Sequence, residues 1–271
     1  MGKALIPRAA VILAVFLFIL FPADMSLAVD RAGAAAGKIP VLVYHDVASQ
    51  VSASDAANSS VISLADFEKQ MAYLAQNGYY TASLQELERY VRGAGNLPEK
   101  TVVITFDDGY QSNYINCYPV LRKYGFRGAV FMIGYVPSGS RPHLTAAQAK
   151  NMVDSGVFEI GCHTFGMHKK TDGKAALKNF PAPVIKRDFD KFNYLCDMIC
   201  IPKPFAIAYP FGEAGADAIG VASSAGYRMG FTMEKGYVRP GDPLMALNRI
   251  AIYPGIDIDK FADIVSGRLT S

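Results

Sequence analysis

The sequence predicts an α/β fold in which parallel strand–helix units close into a barrel. Three observations carry this. Short apolar runs rich in β-branched residues alternate with segments of helical period from Ile39 to the C-terminus, the order of parallel βα units. The strongest run, Val102–Ile104, lacks polar alternation, as expected of a strand covered on both faces. Residues with chemistry to offer follow such runs, at strand C-terminal ends, where parallel barrels gather their sites. About eight runs fit a barrel, and the length that remains after an N-terminal leader suits one domain, 39–271.

Residues 1–28 have the layout of a secretory signal: Lys3 and Arg8, an apolar run Ala9–Phe21, Pro22, and a small-x-small cleavage site at Ser26-Leu27-Ala28. The run is short for a bilayer span. Export is the expectation, with an uncleaved N-terminal membrane anchor as the alternative. Val29–Lys38, rich in Ala and Gly, reads as a flexible leader. The formal charge is +3 and falls to +2 once Lys3, Arg8 and Asp24 leave with residues 1–28. That balance argues against a nucleic-acid partner and against an anionic membrane surface.

The elements follow in order. Ile39–Tyr44 is the first strand. Val47–Ser60, rich in Ser, Ala and Asn, reads as a mobile loop beside His45. Ser63 caps a helix carrying Leu64, Phe67, Met71 and Leu74 at helical spacing, and Gly78 stops it. Tyr79–Thr81 is a short strand. Ser83 and Glu86 form a capping box for a helix that Gly93 ends. Asn113–Tyr124 is helical, with Pro119 in its first turns or at a kink. Gly128–Ile133 is a strand, Thr145–Ser155 a helix closed by Gly156, and Val157–Ile160 a strand. Lys169–Pro183 is a basic loop, read as solvated, with contact to an acidic polymer as the other reading. Val184–Cys200, Ala216–Ala225 and Asp259–Leu269 are helices. Phe205–Tyr209, Tyr227–Thr232 and Asn248–Tyr253 are strands. The four cysteines, Cys117, Cys162, Cys196 and Cys200, allow a disulfide in an exported chain. Cys196 and Cys200 would be strained as a pair, and Cys162 reads as a small buried residue or, alternatively, a ligand.

The chemistry lies in three stretches. TVVITFDDGY, Thr101–Tyr110, ends a buried strand in two carboxylates, Asp107 and Asp108. Adjacent buried charges need a cation or a proton to manage them, although Asp-Asp-Gly is also an ordinary solvated turn. Gly109 allows the backbone to turn so that both can face one cleft. CHTFGMH, Cys162–His168, holds His163 and His168, half of the chain's four histidines. A carboxylate with two imidazoles suits zinc or a similar divalent ion and leaves a position open for water.

These stretches, with Tyr209-Pro210-Phe211-Gly212 following in order, resemble the polysaccharide deacetylases (carbohydrate esterase family 4, the NodB-homology domain). The resemblance spans about His45–Arg249. It implies a distorted (β/α) barrel with seven or eight mainly parallel strands and removal of acetyl groups from an N-acetylated polysaccharide. It implies Asp107 as general base, and Asp108, His163 and His168 as ligands of zinc, nickel or cobalt. It implies the backbone N–H of Phe211 as an oxyanion donor. Tyr110, Tyr209 and Phe211 are candidate walls against sugar rings, or ordinary packing. Two departures stand out. The third motif lacks its usual Arg, which leaves the tuning of Asp107 to a residue such as Arg249 or Lys186. No His follows His168 to act as acid. Both departures are similar to the branch of poly-β-1,6-N-acetylglucosamine deacetylases, where an early Tyr-His supplies the acid; here that is Tyr44-His45. The alternatives kept open are a peptidoglycan or chitin-type deacetylase and a non-catalytic, metal-dependent glycan-binding module.

Overall fold

Strand β1 (Val41–Tyr44) sets the register of the whole barrel. All four of its residues are buried, and they pair with Val103–Phe106 of β5 (Thr101–Phe106) in parallel. The computed structural model describes residues 35–52, 55, 58–139 and 141–269, so the expected signal segment 1–28 lies outside the described residues. The described end of the expected leader is anchored: Ala36 N–H donates to Leu97 O, and Lys38 Nζ donates to Gly267 O.

After β1 the chain forms β2 (Asp46–Ala48), β3 (Val61–Ser63) and helix α1 (Leu64–Gln76), then β4 (Tyr80–Thr81) and α2 (Leu84–Val91). Past β5 come a π-helical turn (Asn113–Cys117), α3 (Tyr118–Tyr124), β6 (Gly128–Met132), α4 (Ala146–Asp154) and β7 (Phe158–Cys162). The hairpin β8 (Lys170–Thr171) and β9 (Lys174–Ala175) precedes α5 (Ala176–Asn179) and α6 (Ala182–Met198). The chain ends with β10 (Ala206–Ala208), α7 (Ala216–Ser224), β11 (Met229–Lys235), β12 (Leu247–Ala251) and α8 (Ile258–Val265). The barrel order is β1, β12, β11, β10, β7, β6, β5 and back to β1, all parallel, with β4 on the outer part of β5. The closed barrel therefore has seven strands.

Alternation along each strand divides the core. Val41, Val103, Ala129, Phe131, Ala206, Ala208, Met229, Phe231 and Leu247 fill the interior, while Leu42, Tyr44, Val102, Ile104, Phe106 and Ile250 face the helices. Phe131 and Phe231 meet inside, ring centroids 5.4 Å apart and edge to face. Gly161 on β7 makes that possible, because a Cβ there would lie 2.2 Å from Phe131. Burying each of these large side chains contributes roughly 1.5–3 kcal/mol.

The caps at Ser63 and Ser83 hold as the sequence expects, the second as a capping box, and Thr145, expected as the first residue of its helix, forms another capping box with Gln148. Three expectations need correction. Val47–Ser60 is not all loop: Asp46–Ala48 pairs with Val61–Ser63, because Val47, Val61 and Ile62 bury their side chains. Asn113–Tyr124 is not one α-helix. Tyr118 N–H donates to Asn113 O five residues back, and Pro119, lacking an N–H, sits in the first turn of α3. Lys169–Pro183 contains the β8–β9 hairpin, turned by Asp172 and Gly173 at φ 52° and 75°. All four cysteines are free thiols. Among the described residues no helix is long and apolar enough to cross a membrane.

Candidate metal centre and active-site cleft

The end of β5 creates the centre. Val103 points into the barrel, and Thr105 and Asp107 follow it at period two. Strict alternation would send Asp108 outward to the helices with Phe106. Instead Asp108 adopts φ 69° and Gly109 φ 76°, so the pleat breaks and both carboxylates turn into one space. A positive φ at a non-glycine residue carries local strain. Thr164 at φ 71° and Phe211 at φ 60° show the same departure in the other two motifs.

Asp108, His163 and His168 come together. Their ligand atoms lie within 4.8 Å of one another. Asp108 Oδ1 is buried without a hydrogen-bond partner, and it faces His163 Nε2 at 3.4 Å and His168 Nε2 at 3.3 Å. A buried carboxylate oxygen costs too much to leave unserved, and two imidazole nitrogens converging on it complete the donor set of a divalent cation. His163 Nδ1 lies 2.7 Å from Ala208 O. The Nδ1–H donates there, which fixes the tautomer and leaves Nε2 as a lone pair for a metal. Burial would raise the pKa of Asp108, but the histidines around it, His163 ahead of His45 and His168, hold it far below the carboxylate range.

The loop that carries the two histidines is held by a residue the sequence did not single out. Asp188 on α6 accepts the N–H of Phe165 at 2.7 Å and of Gly166 at 2.8 Å. Burial raises its pKa. Asp188→Ala strands both amides at roughly 1–3 kcal/mol each and is expected to weaken metal affinity about 10- to 100-fold. Competition against a coloured chelator reads this; unchanged affinity would show that the loop keeps its shape without the clamp.

Asp107 has its cation. Arg249 on β12, fully buried, donates from Nη1 to Asp107 Oδ1 at 2.7 Å and from Nη2 to Oδ2 at 2.6 Å. Its Nε donates to Thr232 O at 3.0 Å. Burial pushes the Asp107 pKa up, yet the Arg249 guanidinium, through its charge and its hydrogen bonds, outweighs it and keeps the group ionised. Of the two basic candidates, Arg249 is the one beside Asp107. Lys186 does not: it pairs with Asp190 on the surface.

His45, just past β1, is half-buried and near enough to Asp107 and Asp108 to help lower the pKa of both. Tyr44 turns the other way, its hydroxyl donating to Gln70 Oε1 at 2.8 Å. The π-helical turn secures this corner: Asn113 Nδ2 donates to His45 O and Asn116 Nδ2 to Val47 O.

The aromatics divide. Tyr110 lines a cleft of about 420 Å³ together with Asp108, His168, Tyr135, Arg141 and His143. Its ring lies 4.8 Å from that of His143, tilted by 36°. Phe211 is 39% exposed and lies over His168 at 4.7 Å. Tyr209 is corrected to packing: it is buried and its hydroxyl donates to Met245 O, so it presents nothing to a sugar. Cys162 is likewise buried, with Sγ accepting the Thr164 N–H. Arg141, also unforeseen, ties the cleft edge to Asp46 and Asp55.

The sequence pattern of polysaccharide deacetylases matches residues 94–230. The chain is similar to YxkH of Bacillus subtilis (strain 168), named as a polysaccharide deacetylase, with 33% identity over 224 residues, covering 83% of this chain and 75% of that one. It is similar to the poly-β-1,6-N-acetyl-D-glucosamine N-deacetylase of Staphylococcus aureus (strain MRSA252), with 30% identity over 70% of this chain and 67% of that one. Among solved structures, the Streptococcus pyogenes deacetylase PplD in complex with acetate superposes with TM-score 0.74 at 28% identity, over 84% of this chain and 98% of PplD. IcaB from Ammonifex degensii does so with TM-score 0.74 at 27% identity, over 87% and 99%.

Proposed function

The chain belongs to the polysaccharide deacetylase family, and we propose that it is an exported, metal-dependent N-deacetylase acting on N-acetylglucosamine units of an extracellular or cell-wall polysaccharide, of the poly-β-1,6-N-acetylglucosamine type. The observation that carries this reading is the pairing, at one strand end, of a carboxylate held ionised by buried Arg249 with the Asp108–His163–His168 donor set. A module that only bound glycan would need the donors but not the ionised carboxylate beside them.

Asp108, His163 and His168 hold the ion, zinc by preference, with nickel or cobalt able to replace it. When bound, the ion would polarise the amide carbonyl and lower the pKa of an attacking water toward ~7. Asp107 takes that water's proton, because Arg249 keeps it charged and in place. The oxyanion then formed on the substrate accepts the backbone N–H of Phe211. His45 protonates the departing amine, which leaves poorly as an anion. Tyr110 walls the cleft against a sugar face. The products are acetate and a glucosamine unit with a new positive charge.

Acetate release from poly-β-1,6-N-acetylglucosamine, chitooligosaccharides and peptidoglycan, measured side by side, tests the reading. Release is expected to be fastest from the first. Preference for either of the others would assign a peptidoglycan or chitin-type enzyme. Chelation is expected to stop turnover and added zinc to restore it. Full turnover in demonstrably metal-free protein would remove the metal from the reaction, and no release from any glycan would leave a binding module.

A further inference from the structure

Beside the cleft lies a second hollow of about 350 Å³, and Tyr135, Gly166 and Lys169 line both. The two thus adjoin, and His168 lines only the first. The far part is walled by Phe165, Phe180, Val184, Arg187, Asp188 and Lys191. Arg187 and Lys191 stand one helical turn apart on α6 and are exposed. Lys169 reaches toward Phe180 and Lys191 toward Phe165. Tyr135, 59% exposed, stacks with Phe165 at 6.3 Å and 21°.

The charge in this far part is one-sided. Among the described residues Lys169, Arg187 and Lys191 take part in no ion pair. The single carboxylate in the wall, Asp188, is buried and already accepts two backbone amides. Lys170, next along the chain, sits over Phe211 at 5.1 Å and extends the positive rim toward the metal donors. Stacked rings give sugar faces something to lie on, and three cations against one buried carboxylate, which Lys191 and Lys169 also act on, leave a net positive wall that gives that sugar a charge preference.

From these contacts we infer that the two hollows act as one groove for the glycan flanking the reacting unit, and that it binds a carboxylate-bearing stretch more tightly than a neutral one and a deacetylated stretch least. The inference rests on the deacetylase reading of the site. Deacetylation itself supports it: each turnover leaves an ammonium on the polymer, and a groove rimmed by lysine and arginine repels a chain already deacetylated. Carboxylate-bearing sugars meet the opposite situation and are attracted.

The test uses the full-length protein with two probes of equal length. One is a hyaluronan hexasaccharide, in which N-acetylglucosamine alternates with glucuronate. The other is neutral hexa-N-acetylchitohexaose. Calorimetry is expected to show tighter binding of the acidic probe at low salt, a preference that fades as salt rises. In Arg187→Glu/Lys191→Glu, checked for fold by circular dichroism, the acidic-over-neutral affinity ratio should fall about tenfold or more, from the loss and reversal of two charge contacts. Equal binding of both probes by the wild type, or an unchanged ratio in the variant, would overturn the inference. Acetate release from poly-β-1,6-N-acetylglucosamine, chitohexaose and peptidoglycan is read in parallel. Its absence in a protein that keeps the acidic preference would count against the deacetylase reading and leave the groove's charge selectivity standing.

Discussion

Asp107→Asn is expected to lower acetate release by about 10²-fold or more, the usual contribution of a positioned general base, while the metal remains bound. Asp107 makes its charged contacts to Arg249 and is absent from the donor cluster. The structure adds a second expected effect. Arg249 is fully buried, so neutralising its partner strands a cation inside the barrel, at a cost on the order of 3–5 kcal/mol. A loss of activity in the single variant therefore mixes chemistry with instability. Asp107→Asn/Arg249→Met separates them: removing the stranded charge recovers most of the stability but none of the turnover. Chemical denaturation and metal analysis, run beside the acetate assay, read all three quantities. Recovered turnover in the double variant would make Asp107 a structural partner of Arg249 and nothing more. Loss of metal in the single variant would reverse the roles of Asp107 and Asp108. The pH dependence follows the same pair. The folded-state pKa of Asp107 is lowered, so its stabilisation is present above the ordinary carboxylate pKa of about 3.9 and is lost as pH falls through the folded value. In Arg249→Met, burial is no longer opposed by that cation, and the acid limb of the activity profile should move to higher pH.

What the sequence made legible was local. Val102–Ile104 read as a covered strand, and Ser63 and Ser83 announced their helices through side chains that bond within three residues. Asp107, Asp108, His163 and His168 stood out because carboxylates and imidazoles at the ends of apolar runs are expensive without a task. What stayed hidden depends on partners distant in sequence. Arg249 and Lys186 were equal candidates to serve Asp107; only barrel closure, which sets β12 beside β1 and β1 beside β5, puts Arg249 across the interior. Asp188 looked like one charge on the mixed face of α6, and nothing near it in sequence marks the Phe165 and Gly166 amides as its partners. Tyr209 shows the opposite failure. Its place in a motif invited a role, yet packing wins: the neighbouring Gly230 has no Cβ, where one would lie 2.3 Å from the Tyr209 hydroxyl. The β8–β9 hairpin was legible in principle, because Asp172-Gly173 is a strong two-residue turn signal; the surrounding lysines drew attention to charge instead.

His45→Ala is expected to keep its metal and lose most of its turnover on an amide substrate. The argument begins with topology. His45 lies far from the other motifs in sequence, but β1 pairs with β5 residue for residue, Tyr44 opposite Phe106, so the residue after each strand opens onto the same space. Tyr44 packs outward against Phe67 and Phe106, at 5.3 and 5.4 Å between ring centroids, and its neighbour is left to face the carboxylates. Asn113, from the π-helical turn, grips the His45 carbonyl at 2.9 Å, so the backbone stays in place when the imidazole is removed. The chemistry then gives a test that a structural role cannot imitate. An amine departs only with a proton, so an amide substrate needs the acid. A phenolate from an activated acetyl ester departs without one. His45→Ala should therefore lose on the order of 10²-fold or more on the amide and far less on the ester. Equal loss on both would take the acid role away from His45 and leave it as a residue that shapes the cleft. Loss of the bound metal in this variant would instead place His45 among the groups that hold the centre together.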